Sequence, residues 1–262
     1  MKIGIIQICS SLDFRENLSK INSFIKEAKE KGAKAVFLPE CFYSMSDGRS
    51  PTPYTIEDKN EHYKNIQNLS IENSVYVLGG SAATLNDEGQ IVNRCYNFSW
   101  DGEDLGYYDK INLFSCALKK SGSIKVINES DIYTPGDKPK LIEAMGVKIG
   151  LSICFDLRFP NMYRDYVLNG AELLTIGSAF TVPSGKAHWH TLVRARAIES
   201  QCFVVAPGQW GRNNDKISTF GHSLVVDPWG DILIDLKEGE GVEVCDLDLN
   251  KIKSVRDSIK IF

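Results

Sequence analysis

The sequence of 262 residues predicts a layered α/β protein, in which two sheets pack face to face inside outer helices as a four-layer αββα sandwich. Two observations predict this class. Apolar strand patterns alternate with amphipathic helices, and one β-α-β unit occurs twice. The first copy runs from KIGIIQI (2–8) to AVFLPE (35–40), and the second from KIGLSIC (148–154) to LLTIGSA (173–179). Since no Ser-, Gly- or Pro-rich linker separates the copies, we expect one domain, residues 1–262.

The first half of the chain is predicted from its apolar periodicity. Gly32 follows an amphipathic pattern as a helix C-cap, and Gly-containing turns indicate two antiparallel strand pairings. The predicted elements are strands over 2–8 and 35–40, a helix over 17–31, a polar loop over 44–59, a helix over about 60–73, and strands over 75–85, 93–100 and 105–114. The polar loop follows Glu40, so we expect it to border that edge of the sheet.

The second half is predicted in the same way. Residues 115–140 are expected to be irregular, with Lys119 to Ser123 as an exposed loop. The elements that follow are a strand ending at Cys154, a helix over 160–169 closed by Gly170, a strand over 172–180, a helix over 187–199, strands over 202–211, 222–236 and 241–249, and a short helix over 250–258.

Composition excludes several classes of function. A net charge of -4 and a pI near 5.7 give no reason to expect nucleic acid or a membrane surface as partner. No apolar stretch is long enough to span a bilayer, the amino terminus lacks a signal-peptide pattern, and the seven cysteines form no CxxC motif. We therefore expect reduced thiols and a cytoplasmic protein. His188 and His190 lack a carboxylate or thiol at ligand spacing, so surface or structural roles are expected and no metal is predicted.

Cys154 stands at the end of an apolar strand pattern, directly before a turn and a helix start. A thiol there lies at the carboxyl edge of a sheet, where open α/β folds bind ligands, and near helix amides that favour a thiolate. Two interpretations remain open from this stretch alone, a small buried hydrophobe or a nucleophile.

Two further residues complete a chemically coherent set. Glu40 ends the second strand at the edge equivalent to that of Cys154, and it can act as a general base. A carboxylate alone would raise the pKa of the thiol, so a cation is needed, and Lys110 in YYDKINLF is the candidate. Its ammonium and the backbone N–H of Phe155 can stabilise an oxyanion. A strand-end acid and a solvated strand lysine are the alternatives.

Three motifs in this order carry a resemblance to a known family. LPECF around Glu40, YYDKINLF around Lys110 and SICFDLRFP around Cys154 resemble the nitrilase superfamily of carbon–nitrogen hydrolases. The resemblance covers nearly the whole chain. AHWHTLVRARAIESQC (187–202) and GHSLVVDPWG (221–230) are most similar to the branch of deaminated-glutathione amidase and ω-amidase.

The resemblance implies both a fold and a mechanism. It implies an αββα sandwich that forms homodimers through helix packing, without metal or organic cofactor. It implies that Glu40 is the general base, Lys110 the electrostatic stabiliser and proton donor, and Cys154 the nucleophile, which forms a thioester with loss of ammonia or an amine. A second family glutamate falls on Glu129, with Glu143 as the alternative.

The same branch implies a substrate, a small primary amide of a 2-oxo acid that carries a carboxylate. Arg158 and Lys186 are candidate anchors for that carboxylate, and Arg158 is also a candidate structural partner of Asp156. Candidate aromatic walls are Phe42, Tyr43, Phe180 and Trp210, each of which can equally be core. The alternatives are an N-carbamoyl amide hydrolase and, from another class, a catalytically idle binding or scaffold protein on the same fold.

Overall fold

The structure of the chain is a computed structural model. It describes the backbone of residues 1–120 and 123–261, together with their side chains outside residues 117–127. The helices in this part of the chain are α1 (Phe14–Glu30), α2 (Glu61–Asn73), α3 (Pro160–Leu168), α4 (Val182–Ser200) and α5 (Asn250–Ser258). None of them combines the length and the apolar character that a bilayer crossing requires.

The strands follow the chain in this order: β1 (Lys2–Gln7), β2 (Ala35–Phe37), β3 (Tyr76–Leu85), β4 (Ile91–Phe98), β5 (Tyr108–Asp109), β6 (Ser115–Lys120), β7 (Ser123–Asn128), β8 (Lys140–Ala144), β9 (Val147–Ile153), β10 (Leu173–Gly177), β11 (Phe203–Ala206), β12 (Trp210–Arg212), β13 (Ser218–Phe220), β14 (Leu224–Val226), β15 (Ile232–Asp235) and β16 (Gly241–Asp246).

Two six-stranded sheets of matching topology make up most of the fold. Their strand orders are β16-β1-β2-β3-β4-β5 and β15-β14-β11-β10-β9-β8. Each has three parallel strands, β1 to β3 or β9 to β11, with antiparallel strands on both sides. The repeated β-α-β unit and the two antiparallel pairings of β3, β4 and β5 are thereby confirmed.

The two sheets pack face to face, and helices cover their outer faces. Ile5 and Phe37 of the first sheet share one buried core with Ile149 and Leu173 of the second. Helices α1 and α2 pack together over the first sheet, and α3 and α4 pack together over the second. The predicted αββα sandwich is therefore confirmed, and burial of the central strands on both faces explains their uninterrupted apolar runs.

Helix ends follow their local sequence. Asp13 accepts a hydrogen bond from the N–H of Arg15 at 2.9 Å and so caps α1. Helix α3 begins at Pro160, whose missing N–H costs nothing in a first turn. The glycines predicted to end these two helices, Gly32 and Gly170, both have φ of +88°, which a glycine adopts without strain.

Two predicted elements have different bounds. Helix α4 begins at Val182 and not at residue 187, because Pro183 is tolerated in a first turn. The single strand expected over 202–211 is divided into β11 and β12, because Pro207 lies between them and has no N–H to donate. Strand β12 pairs with β13 in a separate two-stranded sheet.

The strand expected over 105–114 is wrong except at β5. The backbone N–H of Asn112 donates to the Asp156 carboxylate at 3.0 Å, and that of Phe114 donates to Glu129 at 2.8 Å. Because side chains satisfy these donors, no neighbouring strand is needed.

The irregular stretch expected over 115–140 is also wrong in part. Strands β6 and β7 form an antiparallel hairpin, and a 3-10 turn over Glu129–Asp131 follows it. The exposed loop predicted at Lys119 to Ser123 lies outside the described residues, Ser121 and Gly122 entirely and the other three in their side chains.

Candidate active site

Four of the predicted site residues lie together at the strand ends of the two facing sheets. Glu40 follows β2, Lys110 follows β5 and Cys154 follows β9. Glu129 begins the 3-10 turn that follows β7. Two residues from the first sheet thus meet one from the second, which agrees with the expectation that the repeated units share a cleft.

The Lys110 ammonium bridges two carboxylates. Its Nζ lies 2.8 Å from Glu40 Oε1 and 2.7 Å from Glu129 Oε2. The Lys110 side chain is only 2% exposed, so this ion pair is shielded from water. The Lys110 ammonium is strongly held, because its removal would leave two carboxylates without a compensating charge in the interior. The second glutamate inferred from the resemblance is therefore placed beside the first, at Glu129. Glu143 is exposed on β8, paired with Lys148 of β9.

The Glu40 carboxylate is fixed by two further contacts. Its Oε1 accepts a hydrogen bond from Asn93 Nδ2 at 3.0 Å, and its Oε2 accepts one from the backbone N–H of Ala179 at 2.9 Å. The sheets approach closely at this point: a Cβ on Gly177 would lie 2.7 Å from the carbonyl oxygen of Gly79. A glycine is therefore required for Ala179 to reach the Glu40 carboxylate.

Cys154 occupies a strained turn. Its φ of +47° lies in the left-handed region, which costs a residue with a Cβ about 1 kcal/mol or more. Asp156 holds this turn, because its carboxylate accepts from the Ile153 N–H at 2.8 Å and from the Tyr108 hydroxyl at 2.8 Å. Cys154 is 8% exposed, and its thiol lies beside the Glu40 carboxylate. The turn thus presents sulfur directly to the acid.

Burial dominates the resting protonation state of the Cys154 thiol. Burial, followed by the charge of Glu40, raises the pKa of Cys154 well above its ordinary value, and the opposing effects of Lys110 and the Ala179 N–H are smaller. Cys154 is therefore a protonated thiol at neutral pH. Desolvation therefore outweighs the helix amides, which favour a thiolate.

The pKa values of Glu40 and Lys110 suit a protonated Cys154 thiol. Burial raises the pKa of Glu40, with Lys110 opposing the shift and Glu129 adding to it. Burial alone would lower the pKa of Lys110, but the Glu129 and Glu40 carboxylates raise it well above its ordinary value. The arrangement therefore holds a permanent ammonium beside a carboxylate whose proton affinity is increased, and a thiol lies next to that carboxylate.

Phe155, Phe180 and Arg158 lie together, and Phe155 directly follows Cys154 in the chain. The Arg158 guanidinium lies 5.7 Å from the centre of the Phe155 ring and 5.6 Å from that of Phe180. Its Nη2 is 3.3 Å from His188 Nδ1. Among the described residues it has no carboxylate partner, and the Asp156 carboxylate is occupied by other donors. The suggested pairing of Arg158 with Asp156 is therefore wrong, and a partly exposed cation between two rings remains.

Other predicted residues lie elsewhere. The Tyr43 ring is 1% exposed, stacks on Phe14 at 5.1 Å and bonds through its hydroxyl to His62 Nδ1 at 2.7 Å. Tyr43 therefore belongs to the core between the first sheet and its helices, and its expected place in the substrate pocket is wrong. Phe42 is buried in the same core. Lys186 is exposed on α4, and Trp210 lies on the small sheet of β12 and β13.

Two positioning residues were missed from the sequence. Asn93 of β4 donates to Glu40 and, at 3.3 Å, to Glu129 Oε1, so that one amide links the two acids. Asp156 organises the Cys154 turn and also accepts from Asn112 Nδ2 at 2.9 Å. A polar residue inside an apolar strand was the signal for Asn93. The carboxylate two residues after the thiol was the signal for Asp156.

An αββα sandwich with a buried acid–lysine–thiol group at its sheet edges is typical of nitrilase-like proteins. Comparisons with known proteins lead to the same class. The sequence model of the carbon-nitrogen hydrolase family matches residues 2–257. Omega-amidase NIT2 of Homo sapiens is 33% identical over 261 residues, 100% of this chain and 93% of that protein. Deaminated glutathione amidase of Dictyostelium discoideum is 33% identical over 271 residues, 100% of this chain and 92% of that protein.

A solved structure extends the agreement. The crystal structure of Saccharomyces cerevisiae Nit3, a member of branch 10 of the nitrilase superfamily, has a TM-score of 0.88 at 29% identity, over 100% of this chain and 94% of that one. The chain therefore belongs to the carbon-nitrogen hydrolase family of the nitrilase superfamily. It is a hydrolase of carbon–nitrogen bonds other than peptide bonds, and the resemblance to the amidase branch is confirmed.

Proposed function

We propose that the protein is a cysteine-dependent amidase that hydrolyses a small primary amide bearing a carboxylate, of the deaminated-glutathione or 2-oxoglutaramate type. One observation carries the proposal: the buried Lys110 ammonium joins Glu40 and Glu129, and the Cys154 thiol lies beside Glu40. A scaffold protein has no need of a buried acid, a second and partly exposed acid, a buried cation and a thiol in one group, since burial of the charges costs desolvation free energy.

In the first half-reaction, Cys154 Sγ attacks the amide carbonyl carbon while Glu40 takes the thiol proton. The raised pKa of Glu40 makes this carboxylate a better base than an exposed one. The carbonyl oxygen becomes an oxyanion, which the Lys110 ammonium and the Phe155 N–H stabilise. Collapse of the intermediate breaks the carbon–nitrogen bond, the amine nitrogen takes the proton from Glu40, and ammonia leaves a thioester on Cys154.

In the second half-reaction, water replaces ammonia. The water oxygen attacks the thioester carbon while Glu40 accepts a proton from the water. When the carbon–sulfur bond breaks, that proton passes from Glu40 to sulfur. The carboxylic acid product leaves and the thiol is restored. Glu129 holds Lys110 in place and steers the water, which is supported by its two contacts with the ammonium at 2.7 and 3.0 Å.

We infer that the substrate carries a carboxylate because Arg158 is placed to bind one. Its guanidinium stands between the Phe155 and Phe180 rings without a carboxylate partner in the described part of the chain. A planar cation in this position binds a carboxylate in two parallel hydrogen bonds. The relatives named omega-amidase and deaminated glutathione amidase support the same class of substrate.

A panel of small amides with ammonia detection tests the proposal. We expect turnover of 2-oxoglutaramate or deaminated glutathione, loss of turnover in Cys154→Ala with the fold retained, and a fall of about 10²- to 10⁴-fold in Glu40→Gln. Cys41→Ala is the matched control, because Cys41 adjoins Glu40 in the chain. Release of carbon dioxide with ammonia from carbamoyl compounds would favour the N-carbamoyl alternative. Wild-type turnover by Cys154→Ala would refute the mechanism.

We also propose that two copies associate through their helices. This is supported by the exposed apolar side chains of Leu168 and Ile198, near the ends of α3 and α4, and of Trp229. Light scattering during size exclusion should give a dimer mass for the wild type and a monomer for the Leu168→Glu/Ile198→Glu double variant. A monomeric wild type at micromolar concentration would contradict it.

The reduced state of all seven cysteines supports a further proposal, a cytoplasmic location, which cell fractionation tests.

A further inference from the structure

A second group of convergent side chains lies away from the thiol. We call it the His190 cluster, and it consists of His190, His222 and Asp235. His190 Nε2 lies 3.1 Å from Asp235 Oδ2, and His222 Nδ1 lies 2.9 Å from Asp235 Oδ1. One imidazole therefore faces each oxygen of the same carboxylate. No residue of this cluster has a role in the proposed amide hydrolysis.

We propose that the His190 cluster binds a divalent transition metal ion of the Zn²⁺ type. The three ligand atoms lie within 4.8 Å of one another. Ligands of a tetrahedral zinc ion, with bonds of about 2.0–2.1 Å, are themselves about 3.3 Å apart. The two imidazole–carboxylate pairs here are 3.1 and 2.9 Å apart, so small side-chain movements bring all three ligands to that spacing. Two imidazoles and one carboxylate are borderline donors that suit Zn²⁺, Ni²⁺ or Cu²⁺ better than Ca²⁺ or Mg²⁺. Three protein ligands leave a fourth position for water.

The backbone aims these ligands before any metal arrives. His222 has a left-handed φ of +54°, and its peptide groups are tied on both sides. Its N–H donates to the Lys237 carbonyl oxygen at 2.9 Å, and its carbonyl oxygen accepts from the Trp189 indole at 2.7 Å. The Phe220 ring stacks on the His222 imidazole at 4.5 Å. A ligand held in this way loses little entropy when it coordinates a metal.

Burial and access also suit a metal site. The Asp235 side chain is 8% exposed and carries a charge that must be compensated, whereas the His190 side chain is 35% exposed. Solvent therefore reaches the cluster from the His190 side. The spacing of the histidines gave no metal signal, because the ligands come from α4, the segment before β14 and the end of β15.

Lys237 competes with the metal for the same carboxylate. Its ammonium lies 2.6 Å from Asp235 Oδ2, and its side chain is 70% exposed, so it can leave without disturbing the core. Binding would exchange this ammonium, and the imidazole protons that face Asp235, for the metal ion. Removal of the ammonium is therefore expected to strengthen metal binding, whereas an ordinary hydrogen-bonded cluster predicts no such gain.

Zinc titration against a chromophoric chelator tests the proposal. All variants carry Cys154→Ala, so that Zn²⁺ on that thiol is not counted. We expect one site whose affinity falls at least tenfold in His190→Gln and in His222→Asn. Asn is chosen at 222 because it tolerates a left-handed backbone. His188→Gln is the matched control, an exposed histidine on the same helix, and it should bind like the parent.

Lys237→Asn keeps the test decisive if a histidine variant does not fold. Lys237 has φ of +58°, which Asn accepts, and loss of one positive charge about 5 Å from the metal predicts roughly fourfold tighter binding or more. Equal zinc affinity in the parent and in folded His222→Asn overturns the proposal, and so does unchanged affinity in Lys237→Asn. Neither result depends on the proposed amidase activity.

Discussion

Asn93 offers the sharpest test of how the two buried acids are organised. Its amide donates to Glu40 Oε1 at 3.0 Å and to Glu129 Oε1 at 3.3 Å. Both bonds favour the ionised carboxylates. Replacement of Asn93 by Ala removes the donor without adding a charge or a larger side chain, so that the proton affinity of Glu40 should rise.

The size of the effect follows from hydrogen-bond energetics. A hydrogen bond to a charged group contributes about 1.5–3 kcal/mol, and one pKa unit corresponds to about 1.36 kcal/mol. The pKa of Glu40, already raised by burial, should therefore rise by roughly one to two further units. Because Glu40 must be ionised to accept the thiol proton, the acid limb of kcat/KM should move to higher pH by the same amount. Activity at neutral pH should fall accordingly.

The assay is the pH dependence of kcat/KM for a small primary amide, followed by ammonia release. Asn97→Ala is the matched control, because Asn97 is a buried asparagine of the same strand whose amide donates to the Gly106 carbonyl oxygen at 3.0 Å. Both variants lose buried hydrogen bonds, but only Asn93→Ala should move the limb. An acid limb that stays in place or moves to lower pH in Asn93→Ala would refute the assigned role of Glu40.

Three further predictions test single contacts. Gly177→Ala places a Cβ 2.7 Å from the Gly79 carbonyl oxygen, and urea unfolding should show a loss of about 1–3 kcal/mol; unchanged stability would contradict the close approach of the sheets. Tyr43→Phe loses its bond to His62, at a cost of about 1 kcal/mol with KM unchanged, and a large rise in KM would return Tyr43 to the pocket. Arg158→Met should raise KM about tenfold or more for a carboxylate-bearing amide and little for an uncharged one, and equal effects on both would exclude it as the anchor.

The repeated β-α-β unit made the positions of Glu40 and Cys154 predictable. Carboxyl ends of parallel strands meet at one edge of a sheet, and equivalent edges of two facing sheets meet each other. Lys110 needed a different argument, that a thiol beside an acid requires a cation. The local strand pattern around Lys110 was misleading, because N–H groups there donate to acids of the site and not to another strand. That residues 1–262 form one domain stays a prediction.

Tyr43 shows why proximity in sequence to Glu40 misleads. Cys41 has φ of +53°, so the chain turns sharply one residue after the acid. Phe42 and Tyr43 then enter the core on the helix side of the first sheet, while Glu40 points to the other sheet. A left-handed conformation at a cysteine cannot be predicted from hydrophobic periodicity, because among common residues only Gly and Asn indicate that conformation by their identity.

Asn93 and Asp156 were missed for a related reason. Each acts on a group from a distant part of the chain: Asn93 bonds to an acid 53 residues away, and Asp156 bonds to Tyr108 48 residues away. A polar residue in a strand can face solvent, form a structural hydrogen bond or take part in a site. Only the packing of the two sheets decides among these.

The protonation state of Cys154 depends on burial, which the sequence does not specify, and it changes the expected chemistry. A preformed thiolate would make the rate follow the titration of the thiol. Here burial raises the pKa of Cys154 well above its ordinary value, so the proton must move to Glu40 during attack. The acid limb of the pH profile should therefore report Glu40, and no second limb from Cys154 should be seen near neutral pH. Deprotonation of the thiol thus depends on Glu40 as the base. This is the reason that Lys110, Asn93 and the Ala179 N–H all contact its carboxylate.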